Sequence, residues 1–227
     1  MHILKNALKS ASSCRLPRRS DAERGFSLAE LAVVLLVLTL LAAGSLLPLS
    51  SRLQAAQQRL TRNQLDEIEL ALIGHALIYG QLPCPSPPSA AGGSADGIAP
   101  APPCDFSQPG ELPWRSLGVG ATDAWGQRWR YQVDAGFAEA QIHATTLPRS
   151  NLQVFDHQGL RLTLVDSQAV AVVFSLGANR HGDGRNASHN PAQLHYQSGE
   201  ELADFDDLLR WLGRPLLLAR LAQGGRL

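Results

Sequence analysis

Hydrophobic and polar positions follow four different patterns along this chain. From Phe26 to Leu49 the residues are almost continuously apolar, with Glu30 the only charge and Ser27, Thr39 and Ser45 the polar interruptions. A helix needs about 20 mainly apolar residues to cross a hydrocarbon core about 30 Å thick, so this run predicts a membrane-spanning helix. Next, Leu53, Leu60, Leu65, Ile68, Leu72, Ile73 and Leu77 recur at three- and four-residue steps opposite Arg52, Gln57, Arg59, Arg62, Asp66 and Glu69. That period predicts an amphipathic helix continuing the first, with Gly80 suited to its stop and Pro83 beyond it. Pro48, preceded by Gly44, is expected to kink or loosen the helix where the two halves meet.

Residues 81–113 break both periods. The segment QLPCPSPPSAAGGSADGIAPAPPCDFSQPGELP is so rich in Pro, Gly, Ala and Ser that regular helix and central strand are excluded. Alternation returns at Trp129, Tyr131 and Val133, predicting a strand with one aromatic face and a turn before it at Asp123 and Gly126. NLQVFDHQG, LRLTLVD and AVAVVFSLG predict further strands, the last apolar enough to be buried on both faces. ANRHGDGRNASHNPAQ predicts a long loop. Ser198 should cap a closing helix with Glu200 and Glu201 in its first turn and Leu202, Phe205, Leu208, Leu209 and Leu212 as its apolar stripe. A helix followed by antiparallel strands packed on it, with a short C-terminal helix, is an α+β arrangement.

Charge changes this picture at one end only. Lys+Arg and Asp+Glu are equal at 20 each, so no bulk charge points to nucleic acid or to an acidic substrate. The balance hides a basic N-terminus: Lys5, Lys9, Arg15, Arg18, Arg19 and Arg24 stand against Asp21 and Glu23, directly before the apolar run. Such a flank should stay in the cytoplasm, placing everything after the span outside it. A cleaved secretory signal with LAAGS as the cutting region is the alternative, but signal cores are usually 7–15 residues long. Glu30 is costly in either setting, because a carboxylate in hydrocarbon needs a partner or a task.

Gly25 followed by Phe26, with Glu30 four residues on and an aliphatic helix after it, resembles the N-terminus of bacterial type IV prepilins and type II secretion pseudopilins. The resemblance implies a cytoplasmic leader, residues 1–25, removed between Gly25 and Phe26 by a prepilin peptidase, followed by N-methylation of Phe26. It further implies a stalk helix over 26–80, transmembrane over 26–49, then a disulfide loop over 81–113 and a periplasmic head over 114–227. The family's glutamate maps onto Glu30, which in a filament would pair with the Phe26 amine of a neighbouring subunit. A carboxylate in a helix's first turn is also favoured by the dipole, by about 0.3–1 kcal/mol. The implied partners are the peptidase, other pilin or pseudopilin subunits, an inner-membrane assembly platform and membrane lipid, with no nucleic acid. The implied location is the inner membrane, single-pass, with the head in the periplasm or in a filament. GQLPCP, VVFSLG and FDDLLRWL look like features of minor pilin-like proteins, and DAWG resembles the Asp-x-Trp-Gly segment of pseudopilin-like heads. The same N-terminus serves type II secretion and type IV pili, so both remain open. The leucines of RPLLLARLAQGGRL depart from the pattern of a pilin head and suit docking on the head itself or on a neighbour.

If the leader is removed, Cys14 goes with it and Cys84 and Cys104 remain as an even pair in an oxidising compartment, which favours a disulfide. Closing a loop of about 20 residues would contribute about 3 kcal/mol. A metal pair or redox couple is the alternative, without a CxxC spacing or a nearby histidine to support it. Major pseudopilins hold calcium in a C-terminal loop, and here Asn179, Asp183, Asn186 and Asn190 offer oxygens, although Asp183 is the only charge among them. His181, His189 and His195 match no standard zinc spacing. No G-x-S-x-G, HExxH or phosphate loop is present, so the expectation is a structural subunit without catalytic residues or cofactor. A membrane-anchored periplasmic enzyme and a ligand-binding adhesin at a pilus tip are the competing expectations.

Overall fold

A computed structural model describes residues 27–88, 92–164 and 167–227, with the backbone alone over 42–49. The expected leader and the junction Gly25–Phe26 lie outside the described residues. The first element is α1 (Leu28–Tyr79), 52 residues long. Ser27 starts it as a cap: its hydroxyl accepts a hydrogen bond from the Glu30 amide at 3.1 Å, and its carbonyl accepts the Leu31 amide at 3.0 Å. Gly80, at φ +78°, ends it in the left-handed conformation that a side chain would strain. Helical backbone runs through Gly44 and Pro48, so the expected loosening there does not interrupt the element.

The chain divides into two units, Met1–Leu49 and Ser50–Leu227. In the first, the described side chains of 28–41 are exposed, Leu28 and Leu40 by 88% and 66%. Among the described residues no helix is long and apolar enough to cross a membrane; of the expected span 26–49, side chains are described only over 28–41.

The second unit is built on an antiparallel sheet of order β1-β3-β5, formed by β1 (Arg130–Val133), β3 (Ala169–Ser175) and β5 (Leu208–Gly213). β3 is buried along its whole length, as its near-continuous apolarity predicts. One face of the sheet, with Tyr131, Val133, Ala171, Val173 and Leu212, packs on Leu65, Ile68, Leu72, Ile73 and Ala76 of α1. The stripe therefore engages only from Leu65; Leu53 and Leu60 are exposed. The other face, with Val172, Phe174, Leu209 and Trp211, packs on a two-stranded pair, β2 (Gln153–Phe155) and β4 (His195–Gln197). Trp129 and Tyr131 are buried, so the aromatic alternation fills the core. Two single-turn helices, α2 (Trp114–Leu117) and α3 (Ala135–Ala138), lie in the connections before β1 and after it. The last helix, α4 (Arg214–Gln223), closes the first core with Leu217 and Leu221, both fully buried. Of the closing leucines, Leu217 and Leu221 thus dock on the second unit itself, while Leu216 and Leu227 stay exposed.

Three expectations are corrected. Residues 198–207 form no helix, and the expected stripe instead contains β5. The spacing of Leu208, Leu209 and Leu212 fits both periods. As a strand it sends Leu208 and Leu212 to one core and Leu209 and Trp211 to the other, which a helix against one surface could not do. LRLTLVD forms no strand over its described residues, 160–164. The buried Thr163 hydroxyl there accepts the Val154 amide at 3.2 Å, in place of a backbone carbonyl. Lastly, β2 and β4 pair in parallel rather than antiparallel.

The Pro/Gly-rich segment is tied down. Cys84 and Cys104 form a disulfide across 20 residues with Cα atoms 5.3 Å apart, within the range such bonds require. Glu111 bridges both Ser86 and Arg130, extending the sheet edge beside β1, and the Tyr131 hydroxyl donates to the Pro83 carbonyl at 3.1 Å.

Candidate functional site

β3 leaves the core at Ser175 and enters the polar loop read from the sequence. Gly177 turns it at φ +63°; a β-carbon there would lie 2.4 Å from Asp206 Oδ1, so this close approach excludes a side chain. The chain then passes Asn179, His181 and Asp183 into a 3₁₀ turn, Gly184–Ala187. Opposite it, Asp206 and Asp207 lead into β5. One carboxylate oxygen each from Asp183, Asp206 and Asp207 lie within 4.8 Å of one another.

Backbone and amide donors hold this cluster. Asp183 accepts from Asn179 Nδ2 at 3.0 Å and from the Asp206 amide at 2.9 Å. Asp206 Oδ2 accepts the Asn179 amide at 2.9 Å. Asp207 Oδ2 accepts the Asp183 amide at 2.8 Å and Asn186 Nδ2 at 2.9 Å. The second oxygens of Asp206 and Asp207 are buried with no hydrogen-bond partner, and Asp207 is only 2% exposed. Leaving such acceptors unsatisfied costs about 1–3 kcal/mol each, more when charged. Burial first, and then the neighbouring Asp183 carboxylate, raise the pKa of both, Asp207 to about 7.

Two species relieve this arrangement: a proton shared within the cluster or a cation. The donor set is all oxygen, which suits a hard divalent ion such as calcium or magnesium and not zinc, whose sites favour nitrogen and sulfur. Of the oxygens expected from the sequence, Asp183 lies in the cluster. Asn179 and Asn186 stand beside it and spend their amides on positioning, since Asn186 also bonds Gln197 through both amide atoms and the Asn179 oxygen accepts the His181 amide. Sequence reasoning missed Asp206 and Asp207 because it placed them on a helix. The adjacent acids of FDDLL, ahead of an apolar run and far along the chain from Asp183, were the available signal.

The remaining expected residues are placed individually. Glu30 is exposed in the first turn of α1 with its amide on the Ser27 hydroxyl, while Gly25 and Phe26 fall outside the described residues. His75, expected to pack and not to ligate, has Nδ1 2.9 Å from the Gln81 carbonyl. Asp123 of DAWG is buried; it accepts the Trp125 and Gln127 amides at 2.9 and 2.8 Å and the Ser175 hydroxyl at 2.5 Å, tying the turn before β1 to the end of β3. His181, His189 and His195 make separate contacts, with the Asn179 carbonyl, the Phe106 carbonyl and the Phe155 ring.

The geometry defines a mixed α+β chain whose second unit carries a partly buried carboxylate cluster with Asp207 at its buried end. Compared with known protein families, with curated proteins and with solved structures, it has no significant match.

Proposed function

We propose that the chain is a pilin-like structural subunit, of minor type, of a type II secretion or type IV pilus system. It is inserted with its leader in the cytoplasm, cut after Gly25, methylated at Phe26 and drawn into a filament. The observation that carries the reading is α1: it starts two residues after Phe26, exposes its apolar side chains over 28–41, and packs on the sheet from Leu65 onward. Leucines left in water seek cover, worth about 1.5–3 kcal/mol per buried side chain, and membrane lipid or neighbouring helices supply it. Glu30, one turn into that helix, stands close enough along the chain to Phe26 to meet a neighbour's new amine on assembly.

In this reading the head is a periplasmic module stiffened by the Cys84–Cys104 bond, and the Asp183–Asp206–Asp207 cluster is its calcium site. A ligand-binding tip subunit is the second reading, favoured by a half-open cavity of about 300 Å³ lined by Arg130, Tyr131, Phe174, His189 and Tyr196.

Glu30→Leu tests the subunit role. The variant should insert and be extracted with the membrane like the parent, yet fail to cross-link into higher oligomers with the host's other subunits. Equal oligomer yield from parent and variant would contradict the assembly role of Glu30.

A further inference from the structure

β2 and β4 turn Val154 and Tyr196 into the core and leave Gln153, Phe155, His195 and Gln197 on the opposite, outward face. Arg161 stands across from Phe155 in an antiparallel bridge, which puts its side chain on that same face. The Arg185 guanidinium lies over the Phe155 ring, 4.3 Å from its centre. The His195 ring meets Phe155 edge-on at 5.2 Å. Two basic side chains thus contact one aromatic ring, and a third, Arg161, shares its face.

Among the described residues neither arginine forms an ion pair, in contrast to Arg128, Arg130 and Arg210. Arg161 Nε and Nη2 and His195 Nε2 are buried without a hydrogen-bond partner. Buried nitrogens that lack partners are costly, and guanidinium donors cannot be silenced by losing a proton. Loss of hydration, and then the charges of Arg185 and Arg161, hold His195 below its ordinary pKa.

We infer that the outer face of the β2–β4 pair is a docking site in which Arg161, Arg185 and His195, set around Phe155, receive the carboxylate of an acidic polypeptide segment. Guanidinium forks match a carboxylate in two parallel hydrogen bonds, and the Phe155 ring supplies an apolar floor for the methylenes that carry it. Leu160, next to Arg161 in the chain, is 67% exposed and adds apolar surface beside the Phe155 floor. That combination suits an acid within a partly apolar peptide better than a hydrated inorganic anion. Arg161 and His195 are half-buried and Arg185 exposed, so a turn of the Arg161 side chain brings its nitrogens to the incoming oxygens. The inference is independent of the filament reading.

The test titrates the full chain, in detergent micelles, with a short synthetic peptide carrying one glutamate between leucines, with its glutamine counterpart and with inorganic phosphate. The readout is the His195 ring proton signal in NMR, assigned by its loss in His195→Gln. The glutamate peptide should raise the His195 pKa by about one unit, as a carboxylate within about 4–6 Å does. Arg161→Gln and Arg185→Gln should each weaken the peptide about tenfold, while Arg115→Gln, elsewhere on the head, leaves it unchanged. Equal responses to both peptides would overturn the inference, as would a response to phosphate alone. So would a His195 that titrates at or above its ordinary value before any addition, since the cluster would then be neutralised by the chain itself.

Discussion

Asp207 and Asp123 are both buried acids, but their surroundings differ. Asp123 gives each oxygen a donor and holds a turn against the end of β3. Asp123→Ala should cost about 3 kcal/mol, measured by chemical unfolding, because it strands two amides and a hydroxyl at once. Asp207 leaves an oxygen without a donor and is raised to about 7 by burial. In chelator its protonated form is the one the fold prefers. The stability it contributes is complete below about pH 4, the unfolded value, and is lost as pH rises through about 7. Asp206, Glu69 and Glu111 are raised by burial too and act in the same direction. His75 and His195, held below their ordinary pKa by burial, act in the opposite direction up to about pH 6.5, so the contribution of Asp207 is read by difference: between pH 5 and pH 8 in chelator the thermal midpoint of the parent should fall relative to that of Asp207→Asn. Calcium at pH 8 should restore the midpoint of the parent, by about 2.7 kcal/mol at a hundredfold excess over Kd, and leave Asp207→Asn unmoved. A parent midpoint indifferent to calcium would assign the cluster to protons alone.

Among the elements, α1, β1 and β3 were legible in the sequence because each is marked by an unambiguous pattern: a long apolar run passing into a helical period, an aromatic alternation, and a short continuous apolar run. The Leu65–Ile68–Leu72 stripe and the apolar run of β3 admit a single reading. β5 was not legible: LLRWL satisfies helical and strand spacing alike, and the choice is made by β3, which sits far away in sequence and needs a partner on its open side. That misplacement also hid the site, since Asp206 and Asp207 reach Asp183 only when a strand begins at Leu208. The cationic face was hidden for a similar reason, because Arg161 and His195 come together through the parallel pairing of β2 with β4. Two element-scale predictions follow from the packing. Leu217→Ala, which removes a fully buried side chain tying α4 to the sheet, should cost about 2–5 kcal/mol in urea unfolding. Cys84→Ser with Cys104→Ser should cost about 3 kcal/mol, as expected for releasing a 20-residue loop.

For the whole molecule, the two units ask for different surroundings. Residues from Ser50 onward bury two cores and form a disulfide, whereas the described side chains over 28–41 are all exposed. The proposal resolves this by giving the first unit to lipid and then to neighbouring helices, and the head to the periplasm. Its central claim is chemical and local: the mature chain begins at Phe26. Intact-mass analysis with N-terminal sequencing, on membrane-extracted protein co-expressed with its prepilin peptidase, tests that directly. The account predicts a chain that starts with methylated Phe26 and is about two mass units lighter than its fully reduced form. An uncut chain, or one cut near Ala43, would contradict it and leave Glu30 as no more than a carboxylate in the first turn of a helix.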